Sequence, residues 1–184
     1  MRLAVIHRAK NAILLVGFFL IVGIPMHSQQ PENNKQYAFK AAFLFRFMEY
    51  IDWPASSKSN TFNFAVIGKS AITRQMVAIA SDQKVNNAKM MVKEYTNLED
   101  IQNCQLLFVP ENCPIPIETI TAKFAKRPVL IVTEREGLAE KGAHINFILS
   151  ETKLKFEFNL NAIDDTGIRV SSNLLKHAII VDGK

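Results

Sequence analysis

KQYAFKAAFLFRFMEYIDWP, residues 35–54, is the stretch that organises the predicted fold. On an α-helix, where successive residues lie about 100° apart, most of its aromatic side chains share one face. We expect this face to pack against the core of the domain. It consists of Phe39, Phe43, Phe47 and Tyr50, with Leu44 and Ile51 at its edge.

A second apolar stripe lies nearly opposite that face of the same predicted helix. It consists of Ala41, Phe45 and Met48, with Arg46 and Glu49 on one flank. A helix that is apolar on two sides requires two packing partners. One is its own domain, and the second is another layer of the same fold, a second subunit or a different protein. The sequence predicts a partner-binding surface at this stripe and its two charged neighbours, and filling of the domain's own core by Phe45 is the alternative.

Residues 1–28 have the pattern of a cleavable secretory signal peptide. Arg2, Arg8 and Lys10 precede an apolar run at residues 12–24, and PMHS follows it. The run is shorter than the roughly 20 residues that span a bilayer, and a retained membrane anchor is the alternative. We therefore expect an exported protein whose mature part, residues 29–184, is a single domain.

The charge of the mature chain does not predict nucleic-acid binding. Removing residues 1–28 takes away three basic and no acidic residues, which leaves 19 Lys and Arg against 17 Asp and Glu. The formal net charge of the mature chain is therefore near +2. Nucleic-acid binding needs a clustered basic face, and the sequence contains no such cluster.

The pattern of residues 61–133 predicts an α/β fold. Short apolar strands alternate with helical stretches, which indicates a mostly parallel sheet flanked by helices. Beyond this part, HINFILS and KLKFEFNL stand on either side of a turn at residues 150–153 and predict an antiparallel hairpin at the sheet edge. The final segment, SSNLLKHAIIV, predicts a closing helix. Trp53 and Pro54 are expected to close the first helix over the sheet.

The sequence predicts no catalytic, cofactor-binding or metal-binding residues. His144 and His177 are the histidines of the mature part, and nothing in their spacing suggests metal ligation. Glycine-rich phosphate loops and nucleophile elbows do not occur. The pair Asp164 and Asp165 precedes Gly167 in a predicted turn, where Asp is favoured for backbone reasons.

Cys104 and Cys113 are the two cysteines, and we expect no disulfide between them. If residues 104–110 are extended they span roughly 20 Å, and the three following residues return about 10 Å at most. The remaining gap exceeds the roughly 7 Å between Cα atoms that a disulfide permits. A shorter strand would allow a local bridge, and Cys113 could instead form a bridge between chains.

Several short stretches, taken together and in order, resemble the YfiR-like family of exported bacterial proteins. The first lies in residues 40–54, where Lys40, Phe43, Phe47, Trp53 and Pro54 are the matching motif. The others are the strand from Cys104 to Val109, Pro128-Val-Leu, Gly142 before Ile145-Asn146-Phe147, Phe156-Glu157 with Asn159-Leu160 and Ala162, and Gly167 before Ser171-Ser172, Leu174 and Leu175.

The resemblance implies a periplasmic α/β domain, commonly dimeric, without enzymatic activity. Its best-known relatives restrain an inner-membrane diguanylate cyclase in cyclic-di-GMP signalling by binding its periplasmic portion, and others serve membrane-bound sensor kinases. We therefore predict a periplasmic repressor of such a signalling protein, which forms a homodimer. The alternative is a small-molecule-binding protein, because open α/β sheets bind ligands beyond the carboxyl ends of their strands, here in the loops after Ile67, Val109 and Val132.

Overall fold

The structure, a computed structural model, describes residues 30–151 and 153–183. The predicted signal peptide, residues 1–28, lies outside the described residues. The α-helices are α1 (Gln30–Tyr50), α2 (Ala71–Asp82), α3 (Ile117–Lys123), α4 (Leu160–Ile163) and α5 (Ser172–Leu175). The strands are β1 (Ile51–Asp52), β2 (Thr61–Ile67), β3 (Lys84–Val85), β4 (Ala88–Tyr95), β5 (Leu106–Val109), β6 (Leu130–Thr133), β7 (Ile145–Ser150), β8 (Lys153–Asn159), β9 (Arg169–Val170) and β10 (Ile179–Val181).

The main sheet has the strand order β10-β8-β7-β6-β5-β2-β4-β3. Its central strands, from β7 to β4, pair in parallel, whereas β3 with β4 and β7 with β8 pair antiparallel. Strands β1 and β9 form a separate antiparallel pair. The predicted α/β fold, with a mostly parallel sheet flanked by helices and an antiparallel hairpin near the carboxyl terminus, is therefore confirmed.

The carboxyl-terminal segment differs from the prediction. Helix α5 covers only four residues, capped by the Ser171 side chain, which accepts a hydrogen bond from the backbone N–H of Asn173. The predicted helix does not continue, because Ile179–Val181 forms β10 and pairs in parallel with β8. Three consecutive β-branched residues favour a strand. Strand β10 is thus one edge of the main sheet, beside the hairpin, and β3 is the other.

The side chains of the parallel strands alternate between two hydrophobic clusters, one on each face of the sheet. Along β5, Leu106 and Phe108 enter the cluster that contains α1 and α2, and Leu107 and Val109 enter the cluster that contains α3. Every residue of β5 and β6 is buried. This continuous burial is the reason that these strands are apolar throughout and not alternately polar.

Helix α1 packs on the hairpin through aromatic side chains. The ring centroid of Phe47 lies 4.9 Å from that of Phe156 and 5.8 Å from that of Phe147, and Phe43 contacts the same two rings at 5.8 and 6.2 Å. The predicted core face is only half right, because Phe39 is 54% exposed and Tyr50 is 43% exposed. The buried face of α1 is instead centred on Leu44, which lies between the two predicted stripes.

Trp53 fastens the segment after α1 to the sheet. Its side chain is buried, donates a hydrogen bond from Nε1 to the carbonyl of Gln105 at 3.2 Å, and meets the ring of Phe62 edge to face at 5.0 Å. A buried indole needs a partner for its N–H. The chain that follows α1 is thereby held at the start of β5.

Phe47→Ala should lower the free energy of unfolding by about 3–5 kcal/mol, because it removes a fully buried ring and leaves a cavity. Phe39→Ala is the matched control at the solvent-exposed flank of the same helix, and its effect should stay within about 0.5 kcal/mol. Urea unfolding, followed by the fluorescence of Trp53, measures both. Equal losses for the two variants would contradict the burial described above.

Candidate functional site

The predicted partner-binding stripe is largely covered by the protein itself. Ala41 is 1% exposed and Met48 has no exposed surface, so neither reaches a partner, and the expectation of exposure is wrong for both. Phe45 is partly buried against the same cluster. The reason is that α1 packs against α2 as well as β8, and the cluster includes Ile72 and Met76 of α2. The second partner of the helix is therefore α2, its neighbour on the same face of the sheet.

The exposed surface of α1 lies elsewhere on the helix. We call it the outer face, and it comprises Phe39, Ala42, Arg46, Glu49 and Tyr50. These residues follow helical spacing and so share one side of α1. Arg46 and Glu49 form an exposed ion pair, with Nη1 and Oε2 2.9 Å apart. Two aromatic side chains therefore stand in solvent beside a charged pair.

A groove lies between the amino-terminal half of α1 and the β7–β8 hairpin, and its volume is about 1490 Å³. The hairpin projects past the sheet because β7 pairs with β6 only at Ile145 and Asn146. The opposite walls carry Phe39 and Leu149, and the side chain of Leu149 is 61% exposed. The groove opens at the carboxyl ends of β5 and β6, where α/β sheets commonly bind ligands.

A buried ion pair forms the base of this groove. Lys40 Nζ lies 2.5 Å from Glu134 Oε2, and the side chains are 9% and 1% exposed. Glu134 Oε1 also accepts hydrogen bonds from the Tyr37 hydroxyl at 3.0 Å and from the backbone N–H of Glu111 at 3.2 Å. Burial, assisted by the charge of Glu134, raises the pKa of Tyr37 to about 12. This cluster, the Glu134 clamp, ties α1 to the carboxyl end of β6.

Sequence reasoning missed Glu134, although it placed Lys40 in the family motif. The local signal is a carboxylate directly after the buried strand β6, at the same edge as Glu111 after β5. Its partners lie about a hundred positions earlier in the chain, so no spacing rule connects them. Only the packing of α1 across the sheet brings the three side chains together.

The polar residues of the hairpin have structural partners. Thr133 donates from its hydroxyl to Asn146 Oδ1 at 2.7 Å, and Asn146 donates to Glu157 Oε2 at 2.9 Å. Asn159 accepts from the backbone N–H of Ala162 at 3.0 Å and so caps α4. Of these residues, Glu157 lines the groove.

The histidines and cysteines do not converge on a reactive site. His144 is buried and accepts a hydrogen bond at Nδ1 from the backbone N–H of Ile131, and its pKa is lowered to about 4 by burial. His177 is exposed. Cys104 and Cys113 are both buried free thiols, and burial raises the pKa of Cys104 to about 12. Among the described residues, no group of three or more His, Cys, Asp or Glu side chains is placed to hold a metal ion.

Lys40→Met should destabilise the protein by about 3–5 kcal/mol, because it leaves the Glu134 carboxylate buried without its counter-charge. Lys123→Met is the matched control, since Glu99, the partner of Lys123, is 84% exposed. Loss of that surface pair should cost at most about 1 kcal/mol. Chemical unfolding provides the comparison, and adding Glu134→Gln to Lys40→Met should recover part of the loss. A Lys40→Met effect no larger than that of the control would rule out the clamp.

The burial of His144 predicts a loss of stability in acid. The unfolded histidine gains a proton near pH 6.5, whereas the folded one stays neutral down to about pH 4. Acidification therefore favours the unfolded state across this window, by an amount on the order of 3 kcal/mol. His144→Asn should flatten the pH dependence of the free energy of unfolding between pH 6.5 and 4. A slope identical to that of the wild-type protein would refute this assignment.

The sequence comparisons agree with the fold and with the motif around Lys40. The model of the YfiR/HmsC-like family matches residues 37–179, from Tyr37 of the Glu134 clamp to Ile179 of β10. No functionally curated protein shows significant similarity to the chain. Within the described residues, no helix combines the length and the apolar character needed to cross a membrane. Members of the matched family are periplasmic regulatory proteins associated with membrane-bound signalling. The chain belongs to the YfiR/HmsC-like family.

Proposed function

We propose that the protein is a periplasmic repressor that binds the periplasmic part of an inner-membrane diguanylate cyclase or sensor kinase and holds it inactive. The observation that carries the proposal is the outer face of α1, on which Phe39 and Tyr50 remain exposed beside the Arg46–Glu49 pair. Membership of a family of periplasmic regulators supports the class of partner. Export through a signal peptide in residues 1–28 and the lack of enzymatic activity belong to the same proposal.

The chemistry of the outer face suits a protein partner. Aromatic residues and Arg are enriched at protein interfaces, and charged residues usually form their rim. Arg46 and Glu49 retain the role that the sequence predicts for them, and Phe45 lies beside them at the edge of the core. Ala41 and Met48 take no direct part, because they support this surface from inside the domain.

Repression requires that the regulator distinguish two states of its partner. A bound protein shifts a conformational equilibrium only by the difference in its affinity for the two states. The outer face must therefore fit the inactive geometry better, and about 1.4 kcal/mol of preference gives a tenfold shift. A helix held rigidly on two sides, as α1 is, maintains this discrimination because its surface deforms little.

A homodimer is the second part of the proposal. Two copies of the outer face would form a symmetric contact in which the same residues meet across a twofold axis. Sedimentation equilibrium of the mature chain measures its mass directly. If the outer face serves both contacts, dimer formation and partner binding compete for it.

Small-molecule binding is a second candidate function, favoured by the position of the groove. The loops after β5 and β6, which follow Val109 and Val132, contribute Glu111 and Glu134 to it. The loop after Ile67 does not line the groove. A thermal-shift screen of metabolites separates this candidate from a pure protein inhibitor, because only a ligand-binding protein gains stability with the ligand concentration.

The wild-type protein, captured from detergent-solubilised membranes, should bring with it an integral membrane protein that mass spectrometry identifies as a cyclase or sensor kinase. The double variant Phe39→Asp with Tyr50→Asp should reduce this capture at least about tenfold, because it places charge at the apolar contact. Val77→Asp with Met91→Asp is the matched control, since these side chains are 51% and 50% exposed on other elements.

Both double variants should remain folded, which circular dichroism checks. If the wild-type protein captures no membrane signalling protein, the proposed function fails. If the control variant loses the partner as completely as the test variant, the outer face is not the contact.

A further inference from the structure

The groove between α1 and the β7–β8 hairpin carries charge opposite to that of the mature chain. Five glutamates and three lysines line it, and Lys40 is already paired with Glu134. The remaining charged side chains are those of Glu111, Glu136, Glu151, Glu157, Lys35 and Lys153. The groove is thus net negative, whereas residues 29–184 have more basic than acidic residues. Such a reversal favours a basic occupant.

Apolar side chains line the walls of the groove between the charged ones. Phe39 on α1 and Leu149 on the hairpin are 54% and 61% exposed, and Phe43, Phe147 and Leu154 line the space between them. Covering such side chains yields roughly 25 cal/mol for each Å² of apolar surface removed from water. An occupant that uses this groove fully must therefore be both apolar and basic.

The dimensions favour a segment of polypeptide over a small molecule. The volume of about 1490 Å³ exceeds the roughly 300–1,000 Å³ of ordinary small-molecule pockets. The wall formed by α1 from Lys35 to Phe43 is about 12 Å long at 1.5 Å per residue. That length accommodates about two turns of an amphipathic helix.

We propose that this groove binds a basic amphipathic segment of the regulated signalling protein. Its apolar side chains insert between Phe39 and Leu149, and its Lys or Arg side chains meet Glu111 and Glu136. The assignment of this segment to the signalling protein rests on the proposed function. The groove and the outer face of α1 share Phe39. Together they form one continuous recognition site, to which the groove adds a preference for a basic and apolar segment.

The groove is held open before any partner arrives. The Glu134 clamp fixes the α1 wall to the end of β6, and the hydrogen bonds from Thr133 through Asn146 to Glu157 fix the hairpin wall. A site whose walls are already ordered loses little conformational freedom on binding. The segment therefore meets a surface that does not have to be rebuilt.

Fluorescence anisotropy with a labelled Leu–Lys amphipathic helix of about three turns tests the charge preference, and the same peptide with Glu in place of Lys is the control. The mature protein should bind the basic peptide at least about tenfold more tightly, and the preference should weaken as salt screens the charges. Equal affinity for the two peptides would overturn the proposal.

Two groove variants, each with a matched control, locate the site. Leu149→Ser removes an apolar contact and should weaken binding of the basic peptide about fivefold or more, and Val77→Ser should not. Glu136→Lys reverses one charge and should weaken binding about tenfold, whereas Glu118→Lys, on α3 at the other face of the sheet, should have little effect. If the control variants weaken binding as much as the groove variants, the peptide does not bind in the groove.

Capture from membranes separates the two proposals. If wild-type protein captures the signalling protein but neither Leu149→Ser nor Glu136→Lys reduces capture, the groove assignment is wrong and the proposed function stands. If the basic peptide binds in the groove but no signalling protein is captured, the proposed function fails and the basic specificity of the groove stands. If the groove variants lose both the basic peptide and the captured signalling protein while the control variants keep them, the groove assignment and the proposed function are both supported.

Discussion

The packing of α1 against the β7–β8 hairpin is the contact on which the other features of the surface depend. Phe43 and Phe47 meet Phe147 and Phe156 in one aromatic cluster, so the helix covers the hairpin at the level of the core. Beyond that cluster the hairpin continues past the end of β6 while α1 extends alongside it. The groove is the space between α1 and the hairpin beyond the aromatic cluster. It exists because the cluster holds these two elements together at one end only.

The Glu134 clamp determines the direction of α1 more than its stability. A buried ion pair gains little over well-packed apolar residues, because removing two charges from water costs nearly as much as their attraction returns. Its hydrogen bonds are directional, however, and those of Glu134 reach α1 through Lys40 and Tyr37 and the β5 loop through Glu111. An apolar cluster tolerates rotation of a helix, whereas this set of partners is satisfied in one orientation only. The clamp thus defines which residues of α1 face solvent.

Sequence reasoning captured the fold better than the surface. The burial of each strand leaves a local pattern in the sequence, which is a continuous apolar run in the central strands and an alternation with a period of two in β8. Such local patterns predict secondary structure well. A helical wheel places Phe39, Phe47 and Met48 relative to one another but does not say which side meets the sheet. Phe47 of one predicted stripe and Ala41 and Met48 of the other lie on one broad buried face centred on Leu44, because α2 covers the helix from a second side. The predicted closing helix at the end of the chain was wrong for another reason. Ile179–Val181 finds hydrogen-bond partners on β8, which lies far from it in sequence.

On the proposed function, the protein acts through the surfaces that it presents, and two of these surfaces meet at one residue. Phe39 belongs to the outer face of α1 and also forms a wall of the groove. A partner that docks on the outer face therefore has the groove within reach, and a basic segment that enters the groove brings further apolar surface under cover. Contacts that share a rigid scaffold reinforce each other, because the first immobilises the partner and the second then forms as if within one molecule. On the proposed function, the aromatic side chains that the core leaves exposed provide affinity for the partner, and the acidic groove beside them provides selectivity.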